Sequence, residues 1–171
     1  MREIFSKHKQ SVSEIRRLAL LCHGLDLSST VLNDGSSQYE VGDGTKDVLH
    51  EQISCNLLAL AIALRVNFYQ KQYLDVARFD VRDYAGMYWE DEMTIVETTV
   101  KDVCDKIVHA DVFEKSVLPN TVARGSYATI QMRGKFHKRK WTLDLCVAVF
   151  CEKVLFLLDQ AERNALTNRS S

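Results

Sequence analysis

Apolar residues recur at intervals of three and four along four stretches of the chain, the spacing that gathers them on one face of an α-helix. The first stretch opens with Ser11-Val12-Ser13-Glu14, a Ser-x-x-Glu pattern whose side chains satisfy the free amides of a helix start. It carries Ile15, Leu18, Ala19, Cys22 and Leu25 inward. Gly24 weakens this helix by about 1 kcal/mol or ends it early, and Asn33-Asp34-Gly35 is the firmer stop. After a Gly/Ser/Asp-rich loop over 34–45, a second helix begins near Thr45 with Asp47 and Glu51 where the helix dipole favours acids. Its inner stripe is Leu49, Ile53, Leu57, Leu60, Leu64 and Phe68. Apolar residues also fill the positions between 57 and 64, which predicts a central helix contacted on several sides.

The pattern predicts a third helix from about Thr94 to His109, with Val96, Val100, Val103, Cys104 and Ile107 inward. The last starts near Thr142, with Leu143, Val147, Phe150, Cys151, Val154, Leu157, Leu158 and Ala161 as its stripe. Residues 75–92 lack a clean period and read as turns or a short helix, and Pro119-Asn120 breaks the chain. Tyr127 to Met132 alternates in the manner of a strand. Arg133-Gly134 would turn it into a hairpin with Lys135 to Trp141, or else 135–141 is the loop or first turn of the last helix. The expected fold is therefore mainly α: one domain over 1–171, a bundle of four to five helices with at most one short β-hairpin near 127–140, frayed at 1–10 and 166–171.

Composition narrows the class without changing that picture. With 171 residues and 46% hydrophobic content the chain can bury one substantial core. One proline and seven glycines exclude low-complexity and collagen-like chains. The longest apolar run, Leu57 to Leu64, is too short to span a bilayer, so no membrane association is expected. Five cysteines at irregular spacing sit within apolar helical patterns, which predicts reduced thiols and a cytoplasmic address. No CxxC or HExxH spacing is present, so no metal or other cofactor is expected.

Charge does change the picture. The net charge of −1 conceals eleven acids and four bases from Asp75 to Glu114, followed by seven bases and no acid from Lys115 to Leu143. Five of those bases, Arg133, Lys135, Lys138, Arg139 and Lys140, fall within eight residues, with Phe136, His137 and Trp141 interleaved. Cations alternating with aromatic rings suit a phosphate backbone carrying stacked bases. The plainer explanation is that the basic segment neutralises the acidic one, within the fold or across a dimer.

The sharpest chemical candidate is Arg133 with His137. In a helix this pair would lie one turn apart on the same face. A neutral imidazole there would take a proton from a hydroxyl while the guanidinium holds the phosphate under attack. A helical bundle with such an arginine and histidine before its last helix resembles the HEPN superfamily, whose motif is Arg-x(4–6)-His. Here Arg133-Gly134-Lys135-Phe136-His137 gives Arg-x3-His, with Gly134 where the family often carries a polar residue. The resemblance implies a metal-independent ribonuclease of a toxin–antitoxin or phage-defence system. It also implies a homodimer in which the arginine and histidine of two protomers face each other.

Arg17 to His23 supplies a second Arg-x5-His, inside the first helix, where a satisfied helix-end histidine is the simpler reading. The alternative to catalysis is a binding or regulatory module. It would meet RNA, a nucleotide or a protein through Lys135, Lys138, Arg139 and Lys140, or through the acidic 75–114 region.

Overall fold

The computed structural model describes residues 11–33, 37–69, 85–89, 92–115 and 129–167. Four helices carry most of its regular structure: α1 (Val12–Asn33), α2 (Asp43–Tyr69), α3 (Val100–Val108) and α4 (Val147–Thr167). The hairpin near 127–140 is formed, and it is longer than expected: β4 (Thr129–Phe136) pairs with β5 (Arg139–Cys146). Three further strands, β1 (Ala85–Trp89), β2 (Glu92–Glu97) and β3 (Val112–Lys115), extend it to a five-stranded antiparallel sheet in the order β2-β1-β5-β4-β3.

The helix starts show how local chemistry sets the boundaries. At α1 the Ser11 hydroxyl accepts the Glu14 amide at 3.1 Å, but Glu14 turns outward to Arg17 instead of closing the reciprocal bond. The helix runs through Gly24 to Asn33. At α3 the reciprocal pattern is complete, since Thr99 and Asp102 each accept the other's backbone N–H. That capping box starts α3 at Val100, later than the periodicity suggested. The β-branched run before it pairs with β1 as a strand, and the 85–92 stretch, expected as turns or a short helix, supplies β1. Residues 75–84, Pro119-Asn120 and the predicted frayed end at 1–10 lie outside the described residues. Of the one predicted at 166–171, residues 168–171 also do, while 166 and 167 belong to the last turn of α4.

The start of the last helix is also displaced. Leu143 sits in β5, and α4 begins at Val147. Leu143 is buried all the same, because Trp141, Leu143 and Leu145 alternate onto the face that Ile130 and Met132 of β4 share. Helices α1, α2, α3 and α4 bury Ile15, Cys22, Leu57, Leu64, Val103, Ile107, Phe150, Val154 and Leu158 with that face in one core cluster. α1 packs between α2 and α4, and α3 packs on α2. Helix α2 is long and apolar enough to cross a membrane by length and composition, yet its Ile53, Leu57, Leu60, Ala61 and Leu64 are buried in this core. Exposed ion pairs join α1 to α4, from Arg16 to Asp159 and Glu162, and the His23 Nε2 lies 3.3 Å from the Glu152 carboxylate. Of the Arg17–His23 pair, Arg17 bonds to Glu14 on the exposed side of α1 itself. His23 faces Glu152 from mid-helix, not from the helix end expected, because α1 runs on past Gly24 to Asn33.

Strand β5 passes into α4 without a loop, and the first turn of α4 contains no acid. Its Ala148 amide is instead capped by Asp26 of α1, whose Oδ2 accepts it at 3.1 Å in a fully buried position. Burial pushes the Asp26 carboxyl up to about 7, against the opposing pull of the Ala148 N–H and of His23. Three buried thiols lie on the same α1–α4 seam. The Cys151 thiol hydrogen-bonds to Cys22, which together with burial pushes it up, and burial raises Cys146 to about 11. All five cysteines are free, and Cys55 alone is exposed.

Asp26 makes stability depend on pH in a defined direction. Between the ordinary carboxyl range and about 7 the folded chain keeps a proton that the unfolded chain has released. Folding stability therefore falls as pH rises through that window and stays lower above it. Asp26→Asn keeps an acceptor for Ala148 and should flatten this slope, raising the melting temperature on the alkaline side. Asp26→Ala should lose about 1 kcal/mol of capping on the acidic side. Thermal melts of the three proteins across the window check both signs.

Candidate functional site

The described residues place the basic segment on the β4–β5 hairpin. Its register pairs Gly134 with Trp141, Lys135 with Lys140 and Phe136 with Arg139, leaving His137 and Lys138 as a two-residue turn. The turn is therefore not at Arg133-Gly134, where the sequence suggested it. His137 has φ 55°, the left-handed conformation that a tight hairpin turn demands at its first position. Gly134 is held in mid-strand by close packing. A Cβ there would meet the Trp141 ring and come within 2.8 Å of the His109 carbonyl oxygen at the end of α3.

This geometry separates the two residues of the candidate catalytic pair. Arg133 and Thr142 lie opposite each other on the face of the hairpin away from the core. The Arg133 guanidinium is ion-paired with Glu114 on the neighbouring β3. His137 stands in the turn, exposed, with its ring edge-on to Phe136 at 4.6 Å between centroids. The one-turn helical spacing does not apply, because four residues of extended chain cover about 13 Å. Within one chain, Arg133 and His137 are therefore not brought to one point.

What the hairpin does assemble is a cleft of about 750 Å³ between its tip, α3 and the end of α2. Trp141, 1% exposed, forms the floor, and Phe136, 58% exposed, stands at the edge. Lys106 of α3 lies over both rings, 4.6 Å from the Trp141 centroid and 5.7 Å from that of Phe136. Burial lowers the Lys106 pKa, and Asp102 and Asp105 oppose that shift. Arg65, His109, Asp111, Lys135 and His137 complete the lining with Thr98, Asp102 and Asp105. The acids are largely committed: Asp102 to the α3 cap, and Asp105 to Arg65 at 2.8 Å and Lys101 at 3.7 Å.

Lys138, Arg139 and Lys140 are exposed around the tip, and Lys135 reaches the cleft from the opposite face. Among the described residues the acidic and basic segments thus meet only in part. Arg133 is neutralised by Glu114, while among the described residues Lys135, Lys138 and Arg139 face no carboxylate within ion-pair distance. Sequence reasoning singled out Phe136 and Trp141 as interleaved aromatics but missed Arg65, Lys106 and His109. Nothing in their local pattern marks them, since they join the hairpin only through tertiary packing. Among the described residues no group of three or more His, Cys, Asp or Glu could hold a metal ion.

No family model, curated protein or solved structure matches the chain. The resemblance to HEPN proteins accordingly stands on Arg133, His137 and the helices alone.

Two substitutions test this geometry. Gly134→Ala must displace the Trp141 ring or the His109 carbonyl, and should cost about 1–3 kcal/mol of stability in a denaturant titration. His137→Gly relieves the left-handed backbone and should add about 1 kcal/mol in the same measurement.

Proposed function

We propose that this protein is a non-catalytic binding module that holds single-stranded RNA on the tip of the β4–β5 hairpin. The observation that carries the reading is the exposed Phe136 ring, with His137 against it and Lys135, Lys138, Arg139 and Lys140 exposed around it. An unstacked base has an apolar face that an aromatic ring covers, and its phosphates need cations within a few ångströms. A projecting hairpin supplies both together. The adjoining cleft gives the base or ribose a partly enclosed place, with Lys106 and His109 offering N–H donors.

Catalysis of the HEPN type asks more. A general base must come within about 3 Å of the proton that it removes while the cation meets the same phosphate. Arg133 is tied to Glu114 on the far face from Phe136, so one chain does not supply that arrangement. The binding reading needs only the exposed groups as they stand.

Fluorescence anisotropy with a labelled single-stranded RNA tests it at several salt concentrations. Wild type should bind with a logarithmic salt slope of roughly −2 to −3, as three to four phosphate contacts on a single strand would give. Phe136→Ala should weaken binding by roughly tenfold or more, from the loss of one stacked base. Reversal of Lys138, Arg139 and Lys140 to glutamate should abolish it. Absence of binding by wild type overturns the proposal. Cleavage in EDTA that both Arg133→Ala and His137→Ala remove would replace it with the nuclease.

A further inference from the structure

Helix α2 is apolar on two opposite sides. One side is the core stripe, and the other carries Val48, Cys55, Ile62 and Tyr69 at intervals of seven, with Leu58 between them. All five are exposed, Val48 to 55%, Ile62 to 45% and Tyr69 to 67%. Its neighbour α1 repeats the feature with Leu20, Leu27 and Val31, on the turns opposite its buried Ile15, Cys22 and Asp26. At roughly 150–200 Å² for a large apolar side chain, the exposed fractions over the two helices amount to on the order of 700 Å² of accessible surface. That approaches the ~800 Å² per partner of a standard protein interface.

We propose that this outer face of α1 and α2 binds a second copy of this chain, with α2 crossing its symmetry mate antiparallel near Leu58. Three observations select that occupant. A repeat of seven is the interval at which one helix accepts another along a continuous seam, so the complementary surface is itself a helix. The stripe is its own complement when reversed about its midpoint: Val48 meets the partner's Tyr69, and Cys55 meets the partner's Ile62, with Leu58 at the crossing. A twofold axis requires that self-complementarity of an isologous interface. The charges beside the stripe disfavour a lipid surface, because Asp43, Asp47 and Glu51 line the first turns of α2 with Lys46 the only base among them. A helix lying on an anionic membrane is instead rich in lysine and arginine.

The crossing sets the position of the only exposed thiol. Cys55 and the partner's Cys55 lie about seven helical positions apart along the seam, roughly 10 Å of axial offset. Sedimentation equilibrium at micromolar concentration, together with cross-linking by a bismaleimide of matching span, tests the interface. Wild type should sediment as a dimer and be linked through Cys55, with Cys55→Ser abolishing the link. Ile62→Glu and Leu58→Lys each replace an exposed side chain, so helix content by circular dichroism should hold while the dimer dissociation constant rises at least tenfold. Leu166→Glu, near the end of α4, should leave the dimer intact.

A monomeric wild type overturns the proposal, as does a dimer that neither Ile62→Glu nor Leu58→Lys weakens. Flotation of a monomeric wild type with phosphatidylcholine vesicles, lost in Ile62→Glu, would assign the face to a membrane instead.

Discussion

The passage from β5 into α4 is the constraint on which the rest of the architecture depends. A strand that becomes a helix within one peptide bond leaves the first amides of that helix without a local acceptor, in the middle of the core. The acceptor comes from far away in sequence: Asp26 of α1 reaches the Ala148 amide and is itself fully buried there. One contact therefore fixes how α1 lies against α4, and α4 carries the sheet with it through β5. The arrangement has an electrostatic cost, visible in a carboxyl whose pKa is raised to about 7. The Cys22 and Cys151 thiols on the same seam are fully buried and hydrogen-bonded to each other.

The sheet turns the segregated charge of the chain into two different outcomes. Where β3 and β4 lie side by side, Glu114 and Arg133 neutralise each other across the ladder. Beyond the end of β3 the β4–β5 hairpin continues without it, and among the described residues Lys135, Lys138 and Arg139 face no carboxylate within ion-pair distance. The division is geometric: β3 stops pairing at Arg133, so everything from Lys135 to Lys140 projects past it. Close packing at Gly134 then decides how the projecting tip sits on α3, bringing Lys106 over Trp141 and Phe136. The same packing that opens a cleft at the tip is what keeps Arg133 away from His137. The exposed cations at the tip and the separation of Arg133 from His137 have one structural cause.

The helical layer shows a parallel economy. Its inner side closes the core over the sheet, while its outer side remains apolar across two neighbouring helices. The hairpin tip and this outer face are built from different elements, so occupation of one need not compete with occupation of the other.

The sequence by itself determined the four helices, because a period of 3.6 is written into Ile15-Leu18-Ala19-Cys22, Ile53-Leu57-Leu60-Leu64, Val103-Cys104-Ile107 and Val147-Phe150-Cys151-Val154 without reference to anything distant. The segregated charge and the interleaved Phe136 and Trp141 were legible for the same reason, whereas a hairpin over 127–141 was legible only as one of two alternatives, the other being a loop or first turn of the last helix. Strands β1, β2 and β3 were not, since a short strand is stabilised by neighbours that one-dimensional spacing cannot name. Leu143 fits a helical stripe and a strand face equally well, and only the sheet chose between them. The place of the turn was decided in the same way, by the Trp141 ring leaving room for no side chain at Gly134. So was the meeting of Arg65, Lys106 and His109 with the hairpin tip, because residues from α2, α3 and β4 share a cleft only after long-range packing has set where each element ends.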